Sequence, residues 1–310
     1  MKIFKNIVKK ILPASMYNLI RMKPRLMIVS ASLKRKISYI NKAAWQQDPD
    51  YRGDNSGALR KYGHMVDKGL QTFEREPGHS IVIALRLHEL INLNKNNCES
   101  VAWAKEILSL HRDLQEGSLD SNSYSEFPLI NSKAIGSEQL LTFLKERRTL
   151  RHFHHSMAPS IEDIYKILET TVWAPSSCNR QTIVNFFTMN DALVAECTKQ
   201  NKGATAISGK HAFISVCYDT RSYHLPQESL TGMIDATLGF QNALLMVHSL
   251  GLGACVLNWS HSDVQENLRL RSLLDIPEYC EIAFNVIVGI PNGGAPTPGK
   301  KNKVEYIIER

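Results

Sequence analysis

Apolar positions recur along this chain first at helical and later at mixed helical and strand-like spacing. Residues 1–12 place Ile3, Phe4, Ile7, Val8, Ile11 and Leu12 on one helical stripe, with Lys2, Lys5, Lys9 and Lys10 around it. This predicts an amphipathic basic helix that ends near Pro13, because proline cannot extend the hydrogen-bond ladder. Asp48–Gly57 is dense in Asp, Asn, Gly and Ser and reads as a linker. Helical periods follow over Ala58–Arg75, Ile81–Leu93 and Cys98–Leu114, whereas Glu116–Gly136 is polar and turn-forming.

Beyond this point the periods mix. Ser137–Glu146 reads as a helix opened by an N-cap serine, and Ile161–Val172 as a second, capped by Ser160 and stopped before Pro175. Gln181–Met189 and His211–Tyr218 read as strands, as do the short apolar runs Ala254–Asn258 and Ile282–Ile290. Met233–Leu250 is a long helix closed by Gly251. Helices and strands do not alternate at the spacing of a Rossmann domain, and no G-x-G-x-x-G motif follows a first strand. The prediction is an α+β sandwich: a mixed or antiparallel sheet flanked by helices, with a helical N-terminal extension. Three regions follow, a basic arm (1–47), a small helical region with linker (48–136) and a C-terminal domain (137–310).

Charge changes this picture in one respect. The net charge is +7, yet residues 1–47 hold eleven of the 37 basic residues and no acid. The rest carries 26 basic against 30 acidic residues, a net −4. Basicity therefore belongs to the arm, which suits peripheral contact with an anionic membrane; the lack of interleaved aromatic residues argues against nucleic acid. Six scattered cysteines without C-x-x-C spacing read as free thiols in a reducing compartment. No apolar run approaches the roughly 20 residues of a membrane span. A cytoplasmic protein is expected, peripheral at the inner membrane face if the arm binds lipid.

Three constellations carry candidate chemistry. Arg147, Arg148, Thr149 and Arg151 group three guanidiniums and a hydroxyl within five residues, a donor set suited to a phosphate monoester. Ala174-Pro175-Ser176-Ser177-Cys178-Asn179-Arg180-Gln181 is a turn of hydroxyls and amides suited to the edge of a heteroaromatic ring. Asp235 begins D-A-T-L-G-F-Q-N, and Gly251-Leu-Gly-Ala-Cys then leads to Val256, Leu257, Asn258 and Trp259, with Gly251 and Gly253 allowing close backbone approach. His152, His154 and His155 cluster without matching carboxylates or cysteines, so no metal site is expected. His64 reads as a helix-surface residue and Cys255 as a small packed hydrophobe.

In their order, R-R-T-x-R-x-F, A-P-S-S-x-N-x-Q, D-A-x-x-x-x-Q-N, G-L-G-A-C, L-x-I-P and V-I-V-G-I-P, these segments resemble the nitroreductase family over roughly the last 170 residues. The resemblance implies an FMN-dependent oxidoreductase that works as a homodimer with two FMN molecules in the subunit interface. It assigns Arg147, Arg148, Thr149 and Arg151 to the ribityl and phosphate of FMN, helped by Lys301 or Lys303. Pro175, Ser176, Ser177, Asn179 and Gln181 fall to the partner subunit's flavin, and Val256, Leu257 and Asn258 to a flavin face near N5. NADH or NADPH would donate hydride in ping-pong fashion to an electron-poor nitro, quinone or enone acceptor, with no catalytic side chain required. The chain departs from the family pattern in having Thr149 for serine, Thr182-Ile183 after the turn, and lysines without arginine near the C-terminus. A specialised oxidase, dehydrogenase, dehalogenase or flavin-destroying enzyme is a second expectation from the same fold. A flavin-fold scaffold at the membrane, for instance in envelope polysaccharide assembly, is a third of another class.

Overall fold

The computed structural model describes Ile37 and residues 56–71, 78–94, 99–118, 135–223, 225–259 and 262–310. The predicted amphipathic helix 1–12, the arm apart from Ile37, and residues 48–55 of the linker lie outside the described residues.

Among the described residues, three helices lie between residues 56 and 115: α1 (Ser56–Leu70), α2 (Ile81–Leu93) and α3 (Glu99–Gln115). They enclose their own core, in which Leu59, Val66, Leu70, Leu87, Ala104 and Ile107 are buried. Each such aliphatic side chain removed from water contributes about 1.5–3 kcal/mol before entropy is charged against it. α2 is apolar around more than one face: Ala84, Leu87, Leu90 and Ile91 are buried, while Ile81, Val82 and Leu85 stay exposed.

The remaining elements are α4 (Ser137–Glu146), α5 (Ile161–Glu169), β1 (Ile183–Thr188), α6 (Asp191–Lys199), β2 (Ala212–Asp219), α7 (Thr231–Ser249), β3 (Gly253–Asn258), α8 (Val264–Leu273) and β4 (Cys280–Gly289). The sheet order is β1-β2-β4-β3 and every strand pair in it is antiparallel. Among the described residues, parallel pairing is confined to single bridges, Thr149 with Ala254 and His152 with Ser208. The expected α+β sandwich is thus present, its sheet antiparallel rather than mixed.

Side chains alternate across the sheet with period two, and each face has a helical cover. Ile214, Val216, Val286 and Val288 pack with Ile164 and Ile167 of α5 and Ala236, Phe240 and Val247 of α7. Phe213, Cys217, Cys255, Leu257 and Ile287 face the other way, against Val194 of α6 and Leu270 of α8. β2 and β4 are covered on both sides, which is why they read as near-continuous apolar runs.

Local signals account for most boundaries. Ser160 caps α5, its Oγ accepting from the Asp163 N–H at 3.0 Å. Gly251, at φ +70°, ends α7, a left-handed conformation that costs glycine little. Ser137 is the first residue of α4 rather than its cap; Gly136 stands at the cap, and its N–H donates to Gln139 Oε1 at 3.2 Å. Two helices have no counterpart in the sequence reading. α6 is capped by Asn190, whose Oδ1 accepts from the N–H groups of Ala192 and Leu193 at 3.1 Å. α8 is capped by Asp263, which accepts from the Glu266 N–H at 2.9 Å while Glu266 reaches back to the Asp263 N–H. Among the described residues no helix is long and apolar enough to cross a membrane.

Candidate cofactor site

The Arg147–Arg151 segment leaves α4 and runs beside the start of β3. Thr149 bridges Ala254, and the Leu150 N–H donates to the Ala254 carbonyl at 2.9 Å. This fixes the basic segment along a sheet edge. Arg147 and Arg148 then line a cavity of about 250 Å³ with Glu146, Leu244, His248, Ala254 and Ala295. Arg148 also donates to Thr297 Oγ1 at 2.8 Å, drawing the chain after β4 to the same place. Neither guanidinium is paired with a carboxylate in a salt bridge among the described residues. Two such forks on one cavity provide donors and charge for a phosphate group.

The strand beyond the cavity is open. Ala254, Val256 and Asn258 share a face, and Val256 is 45% exposed. Ala254 to Asn258 spans about 13 Å, so an extended ligand anchored at the arginines could lie along this edge. Leu257 turns its side chain into the opposite core and offers only backbone to that face. Arg151 sits beside Cys255, whose thiol burial pushes up while Arg151 opposes the shift. Cys255 is packed in that opposite core at 2% exposure.

The second predicted segment lies elsewhere. Cys178, Asn179 and Gln181 all have φ near +50° (53°, 49° and 50°), so the turn holds three non-glycine residues in the left-handed region. Ser176 Oγ accepts from the Gln181 N–H at 3.1 Å, and Gln181 Nε2 donates to Asn179 Oδ1 at 2.8 Å. The Ser177 N–H donates to Asp235 Oδ1 at 3.1 Å, tying the turn to the first turns of α7. Asp235 Oδ2 accepts from Tyr223 Oη at 3.1 Å, and Tyr223 Oη lies 2.7 Å from Thr182 Oγ1. Arg180, 2% exposed, pairs with Glu228 at 2.5 Å and stands over the Tyr223 ring, 5.0 Å from its centroid. Burial pushes the Asp235 carboxyl up, against the Ser177 N–H, the Tyr223 hydroxyl and the Arg180 charge. Burial also pushes the Tyr223 phenol up.

α1 packs on this turn and on Thr220–Ser222. The approach is so close that a β-carbon at Gly57 would collide with the Ser222 hydroxyl.

The predicted residues therefore form two groups within one chain. Arg147 and Arg148 meet α7 near His248, and the Pro175–Gln181 turn meets it at Asp235. At 1.5 Å per residue these positions are about 20 Å apart along one helix. Lys301 and Lys303 are exposed on the C-terminal segment and do not line the arginine cavity. Three contributors carried no sequence signal: His248, whose ring packs on Phe143 at 4.6 Å, and the Arg180–Glu228 pair, 48 residues apart. His152 meets Ser208 at 2.9 Å and His154 accepts from the Ser156 N–H at 3.2 Å. Among the described residues no group of three metal-ligating side chains is gathered.

Fold and site together define an α+β scaffold with two arginines on a cavity at a sheet edge. Residues 144–222 match the model of the Nitroreductase family. The chain is 28% identical over 171 residues to a Methanothermobacter thermautotrophicus protein described as an NADH dehydrogenase/NAD(P)H nitroreductase, covering 54% of this chain and 84% of that one. It is 26% identical over 180 residues to an NADPH-dependent oxidoreductase of Staphylococcus haemolyticus, covering 52% and 70%. Among solved structures, an FMN-dependent nitroreductase of Clostridium difficile aligns with 55% of this chain and 98% of its own, at 18% identity and a TM-score of 0.48. A nitroreductase with bound FMN from Desulfitobacterium hafniense aligns with 55% and 97%, at 23% identity and a TM-score of 0.44.

Proposed function

We propose that the protein is an FMN-dependent oxidoreductase that takes electrons from NADH or NADPH and reduces an electron-poor acceptor of the nitro, quinone or enone type. The carrying observation is the pair Arg147 and Arg148 on a cavity that leads to the open face of Val256 and Asn258. The donor set fits a phosphate at one end, and the strand edge fits a flat ring beyond it. Bound FMN would supply the hydride chemistry, accepting hydride from the nucleotide and passing it to the acceptor. The chain's own task is then to anchor, orient and shield. Arg147 and Arg148 neutralise the phosphate, and the backbone of Val256–Asn258 faces the ring. The Pro175–Gln181 turn presents hydroxyl and amide groups to a ring edge.

The 20 Å between the two groups supports a homodimer in which each site takes its arginines from one subunit and its turn from the other. Exposed apolar side chains support the same reading: α4 buries none of its residues, and Val304, Tyr306, Ile307 and Ile308 are all 60% exposed or more. The basic arm 1–47 supports peripheral contact with an anionic membrane from the cytoplasmic side.

An absorbance spectrum of the purified protein, followed by anaerobic addition of NADH or NADPH, tests the reading. Flavin bands that bleach with either nucleotide support it. A colourless protein that takes up no added FMN sinks it and favours the scaffold alternative.

A further inference from the structure

We propose that Asp235 is a positioning residue for the flavin site, the carboxylate that holds the Ser176–Gln181 turn in its left-handed conformation from outside the turn. The inference rests on the reading of that turn as a flavin contact. A left-handed residue other than glycine is costly, and three within four positions persist only where the surroundings over-determine them. Bonds inside the turn, from the Gln181 N–H to Ser176 Oγ and from Gln181 Nε2 to Asn179 Oδ1, close it on itself. They do not fix where it sits. Asp235 supplies that link, because its Oδ1 takes the Ser177 N–H and α7 is itself packed on the sheet.

The carboxylate is in turn oriented by its neighbours. Tyr223 donates to Oδ2, Thr182 meets the Tyr223 hydroxyl, and Arg180 stacks on the Tyr223 ring while paired with Glu228. These partners come from the turn, from the start of β1 and from the segments just before α7. Few buried groups on a packing surface would be chosen as carboxylates. Burial raises the Asp235 carboxyl, so the fold carries this charge at a cost in stability. That cost is understandable if the charge serves the turn rather than the core. α1 backs the turn from the other side, with Gly57 against Ser222.

The test uses the full chain and titrates FMN by quenching of flavin fluorescence, with visible circular dichroism of the bound flavin and melting of the apoprotein alongside. Asp235→Asn keeps the shape but removes the charge. It is expected to weaken FMN binding about tenfold and to change the dichroism, with an apo melting temperature no lower than that of the unaltered protein. Tyr223→Phe, which keeps the ring but takes the hydroxyl from Asp235 Oδ2 and Thr182 Oγ1, is expected to shift affinity in the same direction by about threefold. Unchanged affinity and dichroism in both variants would overturn the proposal. So would a fall in apo melting temperature with unchanged dichroism, which marks a residue of the fold alone. Unaltered protein that binds no FMN would instead defeat the flavin reading itself, and is seen before any variant is made.

Discussion

Removing the guanidiniums at the cavity gives the sharpest measure of whether an anionic cofactor binds there. Arg147 and Arg148 share the cavity with Ala254 and His248, and among the described residues neither forms a salt bridge to a carboxylate. Each would therefore make a charge-assisted bond to phosphate without first breaking an ion pair. Such a bond is worth about 1.5–3 kcal/mol, and the half-open setting argues for the lower end. Arg147→Ala should weaken FMN binding about tenfold, and the double alanine variant about a hundredfold. Arg148→Ala should exceed Arg147→Ala, because Arg148 also holds Thr297 and with it one wall of the cavity. Arg148→Lys should fall between, keeping the charge but losing the fork. Fluorescence titration at two ionic strengths gives the affinities, and added salt should weaken the unaltered protein more than the double variant. Protection against heat gives a second reading, since a hundredfold excess of ligand over its dissociation constant adds about 2.7 kcal/mol of stability. A double variant within twofold of the unaltered affinity, with its melting curve intact, would refute the assignment of phosphate to this cavity.

Other outcomes follow from single features. Leu257→Ala should cost about 2–4 kcal/mol in a urea melt, because its side chain is 3% exposed in the core, while Val256→Ala on the open face should cost under about 0.5 kcal/mol. Gly57→Leu should destabilise the docking of α1 by about 1–3 kcal/mol, read as faster limited proteolysis between residues 56 and 118; equal cleavage rates would refute the tight contact with Ser222. Stability against pH should show the Asp235 shift. Its folded pKa is raised, so its contribution is fully present below the unfolded carboxylate range and is lost as pH rises through the folded value. Asp235→Asn should therefore gain on the unaltered protein at neutral pH, and the two curves should converge in acid. Liposomes containing anionic lipid should retain the full chain at low salt and release a form lacking residues 1–47; equal retention would remove the membrane role of the arm.

The sequence was most legible where a boundary is local. α2 matches its predicted limits, and β3 differs from its apolar run by one residue, since period and punctuation suffice there. α6 and α8 were missed although Asn190 and Asp263 are serviceable caps, because α6 buries only Val194 and Cys197 and α8 only Leu270, too few to mark a long apolar stripe. The arginine segment was legible as a phosphate group, and its position beside β3 was not, because the Leu150–Ala254 bond joins residues 104 apart in number. Arg180 was hidden between two residues read as ligands. Its burial depends on Glu228 and Tyr223, which no periodicity connects to it. Asp235 stood out in the sequence as part of a motif, but only the fold shows which backbone group it holds.

α7 acts as a spacer between the arginine cavity at one end and the Asp235-bound turn at the other, and this has a genetic consequence. If each site draws one end from each subunit, a defect in the cavity and a defect in the turn lie in different halves of the same dimer. A mixed dimer of Arg147→Ala with Ser176→Ala then holds one site with both lesions and one with neither. At an FMN concentration that fills only unaltered sites, two variants that stay empty alone should regain, on co-expression, about one quarter of the sites of the unaltered protein. Two cavity variants mixed together should regain none, so allele pairs sort into two complementation groups that follow the two ends of a single helix.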